Sequence, residues 1–139
     1  MRKRGKIGGV MAKFDWPKFQ KYWFPVILYS GIIFCVSSIP NLKTPLPEVQ
    51  FDKFLHVLEY LPFGFLLARL ICHTRCSVSR GTVLTTVALG SLFYGLSDEM
   101  HQMFVPGRDA EIIDVIAAAL GGLGGGYIFL LFSRKVKKI

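Results

Sequence analysis

The residues of this chain that are best suited to chemistry lie in one short segment, where polar and ionisable side chains interrupt a very apolar sequence. They are Ser97, Asp98, Glu99, His101, Gln102, Arg108 and Asp109. Polar groups beside a bilayer are costly, so such a cluster is either a structural network or a functional site. Its carboxylates and imidazole can act as general bases or hold a divalent cation, and its arginine can bind a phosphate.

A second polar stripe lies earlier in the chain. Asp52, His56 and Glu59 are spaced i, i+4 and i+7, so they line one side of a helix, and Lys53 adjoins them. Glu59 would lie ~10 Å deeper along that helix than Asp52. A charge at depth costs roughly 2.5–3.5 kcal/mol, so Glu59 must be protonated, paired or in a wet cavity. Asp114, at the start of the last apolar run, is expected at the same end.

Several of these residues also have purely structural interpretations. Asp52, Asp109 and Glu111 can cap or open helices, because carboxylates accept hydrogen bonds from free N-terminal N–H groups. His56 and His101 can be neutral imidazoles that bridge two helices, or they can serve as a general base or metal ligand.

Arg108 is the lone arginine among these carboxylates, and it follows a predicted tight turn. In Val105-Pro106-Gly107-Arg108 the proline sets φ and the glycine can take a positive φ. The guanidinium can form a buried pair with Asp98, Glu99 or Asp114, or it can receive a phosphate or carboxylate from a ligand.

Four apolar runs must position these segments, and each is near the ~20 residues that a helix needs to cross a bilayer. They predict an all-α, four-helix transmembrane bundle with spans at about 22–39, 53–72, 82–100 and 112–132. Residues 1–21 are basic and aromatic, which predicts an interfacial segment on the membrane surface. We expect the first run to stay as an uncleaved anchor, because no clear cleavage site follows it.

The basic residues predict the orientation of the bundle. Only Lys43, Lys53 and Arg108 of the 17 basic residues fall in the two connections between paired spans, and the rest lie in the leader, the middle loop and the tail. The positive-inside rule therefore predicts that both termini are cytoplasmic, where the basic residues contact anionic lipid. The polar segments would then face outward.

Composition argues against three other classes of function. The net charge of +8 lies beside the apolar runs and not in an aromatic-interleaved groove, so nucleic-acid binding is not expected. Cys35, Cys72 and Cys76 do not form a disulfide framework or half of a zinc site. No paired histidine spacing predicts a metal centre. A carboxylate-bound divalent cation stays open as a cofactor, because hard ions leave no tight spacing signature.

Small residues form two ridges on the last span. Ala117, Gly121 and Gly125 form one, and Ala118, Gly122 and Gly126 form the other. Such ridges let helix backbones approach closely in a membrane. We favour packing within the chain, with a homodimer through this span as the alternative.

The order and spacing of these motifs resemble the VanZ-like family of small bacterial integral membrane proteins, over most of the hydrophobic part of this chain. The matching residues are Asp52, Lys53, His56 and Tyr60, then Gly95, Asp98, Glu99 and Gln102, then Pro106, Gly107 and Arg108, and finally Asp114. One departure is Ala118, where the family often has an asparagine. His101 is not part of the pattern.

The resemblance implies a multi-pass protein of the bacterial plasma membrane that acts in the cell envelope. The family's namesake is associated with resistance to teicoplanin, which acts on cell-wall precursors outside the membrane. A first hypothesis is therefore a non-enzymatic protein that binds a lipid-linked precursor or the glycopeptide. Arg108 and Lys53 would then contact phosphate or carboxylate.

A second hypothesis is a membrane-embedded hydrolase or transferase for a lipid-linked envelope substrate. His56 or Glu99 would be the general base, and Arg108 would stabilise the oxyanion or phosphate. The residues that would orient them or bind a cation are Asp52, Asp98 and Asp114. A third hypothesis is a structural network without a ligand.

Overall fold

The computed structural model describes residues 15–40, 49–75 and 77–133, with the side chains of the second helix from Lys53 onward. Four helices make up the regular structure of this part of the chain. We number them α1 (Trp16–Ser37), α2 (Val49–Thr74), α3 (Arg80–Gln102) and α4 (Ile112–Phe132). The predicted all-α fold is confirmed.

Successive helices run in opposite directions, so one end of the bundle collects four helix termini. These are the end of α1, the start of α2, the end of α3 and the start of α4, and we call this the polar end. At the opposite end the Tyr22 ring of α1 stacks on the His73 ring of α2, 4.7 Å between centroids.

Proline residues explain two irregular places in the helices. Phe19–Trp23 form a π-helical segment within α1, separated from Pro25 by one residue. Proline lacks an N–H and its ring clashes with the carbonyl four residues earlier, and the wider π turn accommodates this. Pro62 lies inside α2, where it leaves the Leu58 carbonyl without its usual helical donor.

The two ridges of small residues on α4 are used within the chain. Gly121 and Gly125 lie against the backbone carbonyls of Val57 and Leu61 in α2, and Gly122 lies against Ser91 in α3. A β-carbon at any of these glycines would overlap the opposing atoms. A homodimer through α4 would therefore have to use its other face, which carries exposed apolar side chains.

Two apolar clusters fill the bundle. Towards the opposite end the core consists of Ala68, Ile71, Val83, Val87, Phe129 and Leu130. Nearer the polar end it consists of Ile33, Tyr60, Phe63 and Ala118. Tyrosine hydroxyls join α1 to its neighbours, because Tyr29 donates to the Glu59 carbonyl (2.9 Å) and Tyr94 donates to the Ser30 carbonyl (2.6 Å).

Each predicted span overlaps one helix, but α1 ends two residues before the predicted end and α2 ends two residues after it. The bounds of α4 are as predicted, α3 extends the prediction by two residues on each side, and α1 and α2 begin earlier. Of the described helices, α1, α2 and α4 are long and apolar enough to cross a membrane. The crossing by α3 and the cytoplasmic placement of both termini stay predictions.

The predicted interfacial segment is described only from Asp15 onward, and its residues Trp16–Lys18 and Phe19–Trp23 form the first part of α1. Hydrogen bonds from Lys18 lower the pKa of Asp15, which caps this helix. Residues 1–14, the 41–48 connection, Cys76 and the tail from Arg134 lie outside the described residues.

The capping interpretation of Asp109 and Glu111 at the start of α4 holds only in position and only for Glu111. Glu111 is the N-cap residue, but its side chain makes no capping hydrogen bond, and Asp109 lies exposed before it. Asp114 instead places its carboxylate in the first turn, where the helix dipole favours a negative charge. The Asp52 side chain lies outside the described part, and α2 begins three residues before it.

Candidate functional site

A cluster of buried polar side chains fills the polar end of the bundle, and all four helices contribute to it. Each member is at most 6% exposed. They are Ser37, His56, Asp98, Glu99, Gln102 and Asp114. Buried charges are costly unless they are paired or hydrogen-bonded, so the contacts of each carboxylate decide what this cluster can do.

Glu99 joins three helices through its two carboxylate oxygens. Oε1 lies 3.4 Å from His56 Nε2 in α2, and Oε2 accepts a hydrogen bond from the Glu111 backbone N–H at the start of α4 (2.9 Å). The hydrogen bond from the Glu111 N–H orients the Glu99 carboxylate, so that Oε1 faces the His56 imidazole. His56 and Glu99 are thus placed as a base and its orienting partner.

Asp98 lies beside Glu99 and is held by its own helix. Its Oδ2 accepts a hydrogen bond from Gln102 Nε2 (3.1 Å), as expected for residues four positions apart. Its Oδ1 is buried and has no hydrogen-bond partner among the described residues. The nearby Ser37 hydroxyl donates to the Ile33 carbonyl (3.0 Å) and can rotate to donate to Asp98 instead.

His56, Asp98 and Glu99 converge closely enough to share a small ligand. Each offers one ligand atom, and these three atoms lie within 4.8 Å of one another. One imidazole nitrogen with two carboxylate oxygens is a donor set that suits a divalent transition metal. The same groups without a metal suit proton transfer.

Two carboxylates bind Lys53, one from Asp114 in α4 and one from Glu111, the residue that precedes α4. Its ammonium lies 2.6 Å from Glu111 Oε2 and 3.2 Å from Asp114 Oδ1, and its side chain is 18% exposed. These contacts neutralise the lysine and tie α2 to α4. Its role in binding a ligand anion stays a prediction, to which this arrangement adds no support.

Arg108 lies at the rim of the cluster. Gly107 has a φ of 78°, and the Arg108 N–H donates to the Val105 carbonyl (3.2 Å), so the predicted tight turn is confirmed. The guanidinium Nη2 donates to the Val36 carbonyl of α1 at 3.3 Å. No ion pair joins Arg108 to a carboxylate within the described ranges, so the predicted buried pair is absent there.

Two other polar residues lie apart from the cluster. His101 stacks on Phe34 with ring centroids 4.4 Å apart, and its Nε2 lies 3.0 Å from the Ser38 hydroxyl. His101 therefore bridges α3 and the end of α1, which is the structural one of the two interpretations given above for this imidazole. Glu59 is half-buried and is not among the three grouped ligand atoms.

A narrow groove leads along the bundle surface to Glu99. It encloses about 160 Å³ between the end of α3 and the start of α4. Its walls are mostly apolar, and the lining residues are Leu96, Glu99, Met100, Met103, Glu111 and Val115, with Ala110 and Ile112. The groove therefore places apolar side chains next to a buried carboxylate.

A family model described as VanZ/LLP1 matches residues 9–133, which is nearly the whole chain. The chain belongs to the VanZ/LLP1 family. The resemblance that the motifs indicated is thereby confirmed at the level of the family. No curated protein matches this VanZ/LLP1 chain, and no solved structure matches it.

The VanZ-like motif residues with described side chains gather at the polar end, apart from Tyr60 and Gly95, which lie one turn deeper. Ala118, at the position where an asparagine is often found, is fully buried. A β-carbon on Gly95 would lie 2.7 Å from Ala118 Cβ and 3.8 Å from the Tyr60 hydroxyl. In this VanZ/LLP1 chain the contact between Gly95 and Ala118 is therefore apolar, and it lies beside the buried Tyr60 hydroxyl.

Sequence reasoning missed two members of the site. Glu111 was interpreted as a helix opener, but it binds Lys53 and donates its N–H to Glu99. Ser37 carried no signal at all, because a serine near the end of an apolar run is common. Only the packing of α1 against α3 brings it beside Asp98.

Proposed function

We propose that this VanZ/LLP1 protein is a multi-pass protein of the bacterial plasma membrane that lowers susceptibility to glycopeptide antibiotics of the teicoplanin type. Its polar end would face outward and would engage the drug or a lipid-linked cell-wall precursor. The observation that carries the proposal is the buried cluster of His56, Asp98 and Glu99, because a bundle that needed only stability would not group these side chains.

The charge pattern supports the outward placement. The two connections at the polar end contain few basic residues, and the other loop and both termini contain most of them. Teicoplanin and its targets lie on the outer side of the membrane, so an outward site would meet them.

The test compares a buried and an exposed aspartate at the same end of the bundle. Asp98→Asn removes one charge from the cluster, and Asp109→Asn makes the same change at an exposed position. Both variants and the unchanged protein are expressed in a susceptible host, with membrane protein quantified. We expect protection with the unchanged protein and Asp109→Asn, and none with Asp98→Asn at equal amounts. Absence of protection by the unchanged protein would overturn the proposal.

A second function is supported by the groove beside Glu99. In a membrane-embedded hydrolase or transferase for a lipid-linked envelope substrate, the hydrocarbon chain of the lipid would lie in the groove. Glu99, held by the Glu111 backbone and flanked by His56, would accept a proton from water or from an acceptor hydroxyl.

Lipid and precursor profiles distinguish the two functions. An enzyme predicts a product that appears with the unchanged protein and with Asp109→Asn, and disappears with Glu99→Gln. A binder predicts protection with unchanged profiles. Protection that persists in Glu99→Gln would argue against both roles for this carboxylate.

A further inference from the structure

We propose that His56, Asp98 and Glu99 form a binding site for one divalent transition-metal ion, with Zn²⁺ as the favoured ion. The three ligand atoms lie within 4.8 Å of one another, and all three side chains are buried. This site would exist whether or not the protein affects glycopeptide susceptibility.

The distance between the ligand atoms of His56 and Glu99 fits a tetrahedral ion. His56 Nε2 and Glu99 Oε1 are 3.4 Å apart. Two ligands that are each about 2.1 Å from a tetrahedral Zn²⁺ lie about 3.4 Å from each other. The third ligand atom, from Asp98, lies within 4.8 Å of the other two.

Two buried carboxylate oxygens are the second, independent observation. Asp98 is 4% exposed and Glu99 is 5% exposed, and Asp98 Oδ1 and Glu99 Oε1 each lack a hydrogen bond of normal geometry among the described residues. A buried carboxylate oxygen without a partner carries the full cost of its lost hydration. An ion bound to it would remove that cost.

The outer contacts of the carboxylates are those expected around a metal. Gln102 holds Oδ2 of Asp98, and the Glu111 N–H holds Oε2 of Glu99, so each carboxylate keeps its other oxygen for the shared space. Such supporting hydrogen bonds orient the ligands of metal sites.

The charges of the cluster also favour a cation. Asp98 and Glu99 are neighbouring carboxylates, while Lys53 is engaged by Glu111 and Asp114. Like charges that share a buried site repel each other, and a divalent ion would neutralise both. The imidazole favours Zn²⁺ over Mg²⁺, which prefers oxygen ligands and keeps several waters.

Direct metal measurement on the purified full chain tests the site. The protein in detergent is stripped with a chelator and dialysed against Zn²⁺, and bound metal is then counted. We expect one Zn²⁺ per chain in the unchanged protein, in His101→Ala and in Asp109→Asn, and a loss of bound Zn²⁺ in His56→Ala and Asp98→Asn. Binding that is absent from the unchanged protein, or unaltered in the last two variants, would overturn the proposal.

If the variants fail to accumulate, a second measurement on the unchanged protein alone tests the site. Co²⁺ is bound in place of Zn²⁺, and X-ray absorption identifies its ligands. Nitrogen and oxygen ligands without sulfur are expected. Sulfur ligation would assign the metal to a cysteine and overturn the proposed site.

Discussion

Gly121 of α4 lies directly against the backbone carbonyl of Val57 in α2, with no room between them for a β-carbon. Gly125 meets Leu61 in the same way one turn further along. This backbone contact sets the distance between α2 and α4, and therefore the position of Lys53 relative to Asp114.

Gly121→Ala should consequently destabilise the bundle. The new methyl group meets a backbone atom that cannot rotate away, so the helices must separate, at a cost of about 1–3 kcal/mol. Gly124→Ala is the matched control, because a β-carbon there meets nothing within 4 Å. Thermal unfolding in detergent measures both. Equal unfolding temperatures for the two variants would contradict the packing described.

Lys53→Met should be strongly destabilising. It leaves Asp114, which is 3% exposed, without its cation, and breaking a buried pair costs about 3–5 kcal/mol. The change should be partly rescued by Asp114→Asn in the same chain, as a double-mutant cycle would measure.

Lys18→Met is the control for this pair. Lys18 binds Asp15 at 3.0 Å, but both side chains are largely exposed, so the variant should unfold almost as the unchanged protein does. If Lys18→Met lowers the free energy of unfolding as much as Lys53→Met does, burial does not explain the difference expected between the Lys18–Asp15 and Lys53–Asp114 pairs.

Tyr60→Phe should leave stability unchanged or raise it slightly. The Tyr60 hydroxyl is fully buried and has no hydrogen-bond partner in the described part of the chain, so its removal relieves a desolvation cost. Tyr94→Phe is the contrast, because it removes the 2.6 Å bond to the Ser30 carbonyl and should cost about 1 kcal/mol. If Tyr60→Phe is the more damaging variant in thermal unfolding, the hydroxyl binds a ligand or water.

The helices were predictable from the sequence, since apolar runs of bilayer length leave few alternatives. Their ends were less predictable. Hydropathy placed the start of α2 at Lys53, but the helix begins at Val49, because backbone hydrogen bonding continues through polar residues that an apolar window excludes. The start of α1 is earlier for the same reason.

The contacts of the site within one helix were predictable from the sequence, but the contacts between helices were not. The i, i+4 spacing of Asp98 and Gln102 predicted a shared face, and their hydrogen bond is present. The contacts of Glu99 with His56 and with the Glu111 N–H depend on how α2 and α4 pack, which no spacing along the chain encodes. The same holds for Arg108, whose partner is a backbone carbonyl of α1.

Of the four predicted spans, α3 carries the most polar side chains along its length. Its 23 residues are long enough to span, but it is not among the three helices that are also apolar enough. Burial of Asp98, Glu99 and Gln102 inside the bundle removes their cost to the lipid, so we predict that α3 crosses nonetheless.

Cysteine labelling across the bilayer tests this crossing. Cys35, Cys72 and Cys76 are first replaced by alanine, and Ser77→Cys or Asp109→Cys then places one exposed thiol at either end of α3. A membrane-impermeant maleimide added to intact cells should label the Asp109→Cys chain at once and the Ser77→Cys chain only after permeabilisation. Labelling of both chains from one side would mean that α3 does not span, and labelling in the reverse order would place the polar end in the cytoplasm.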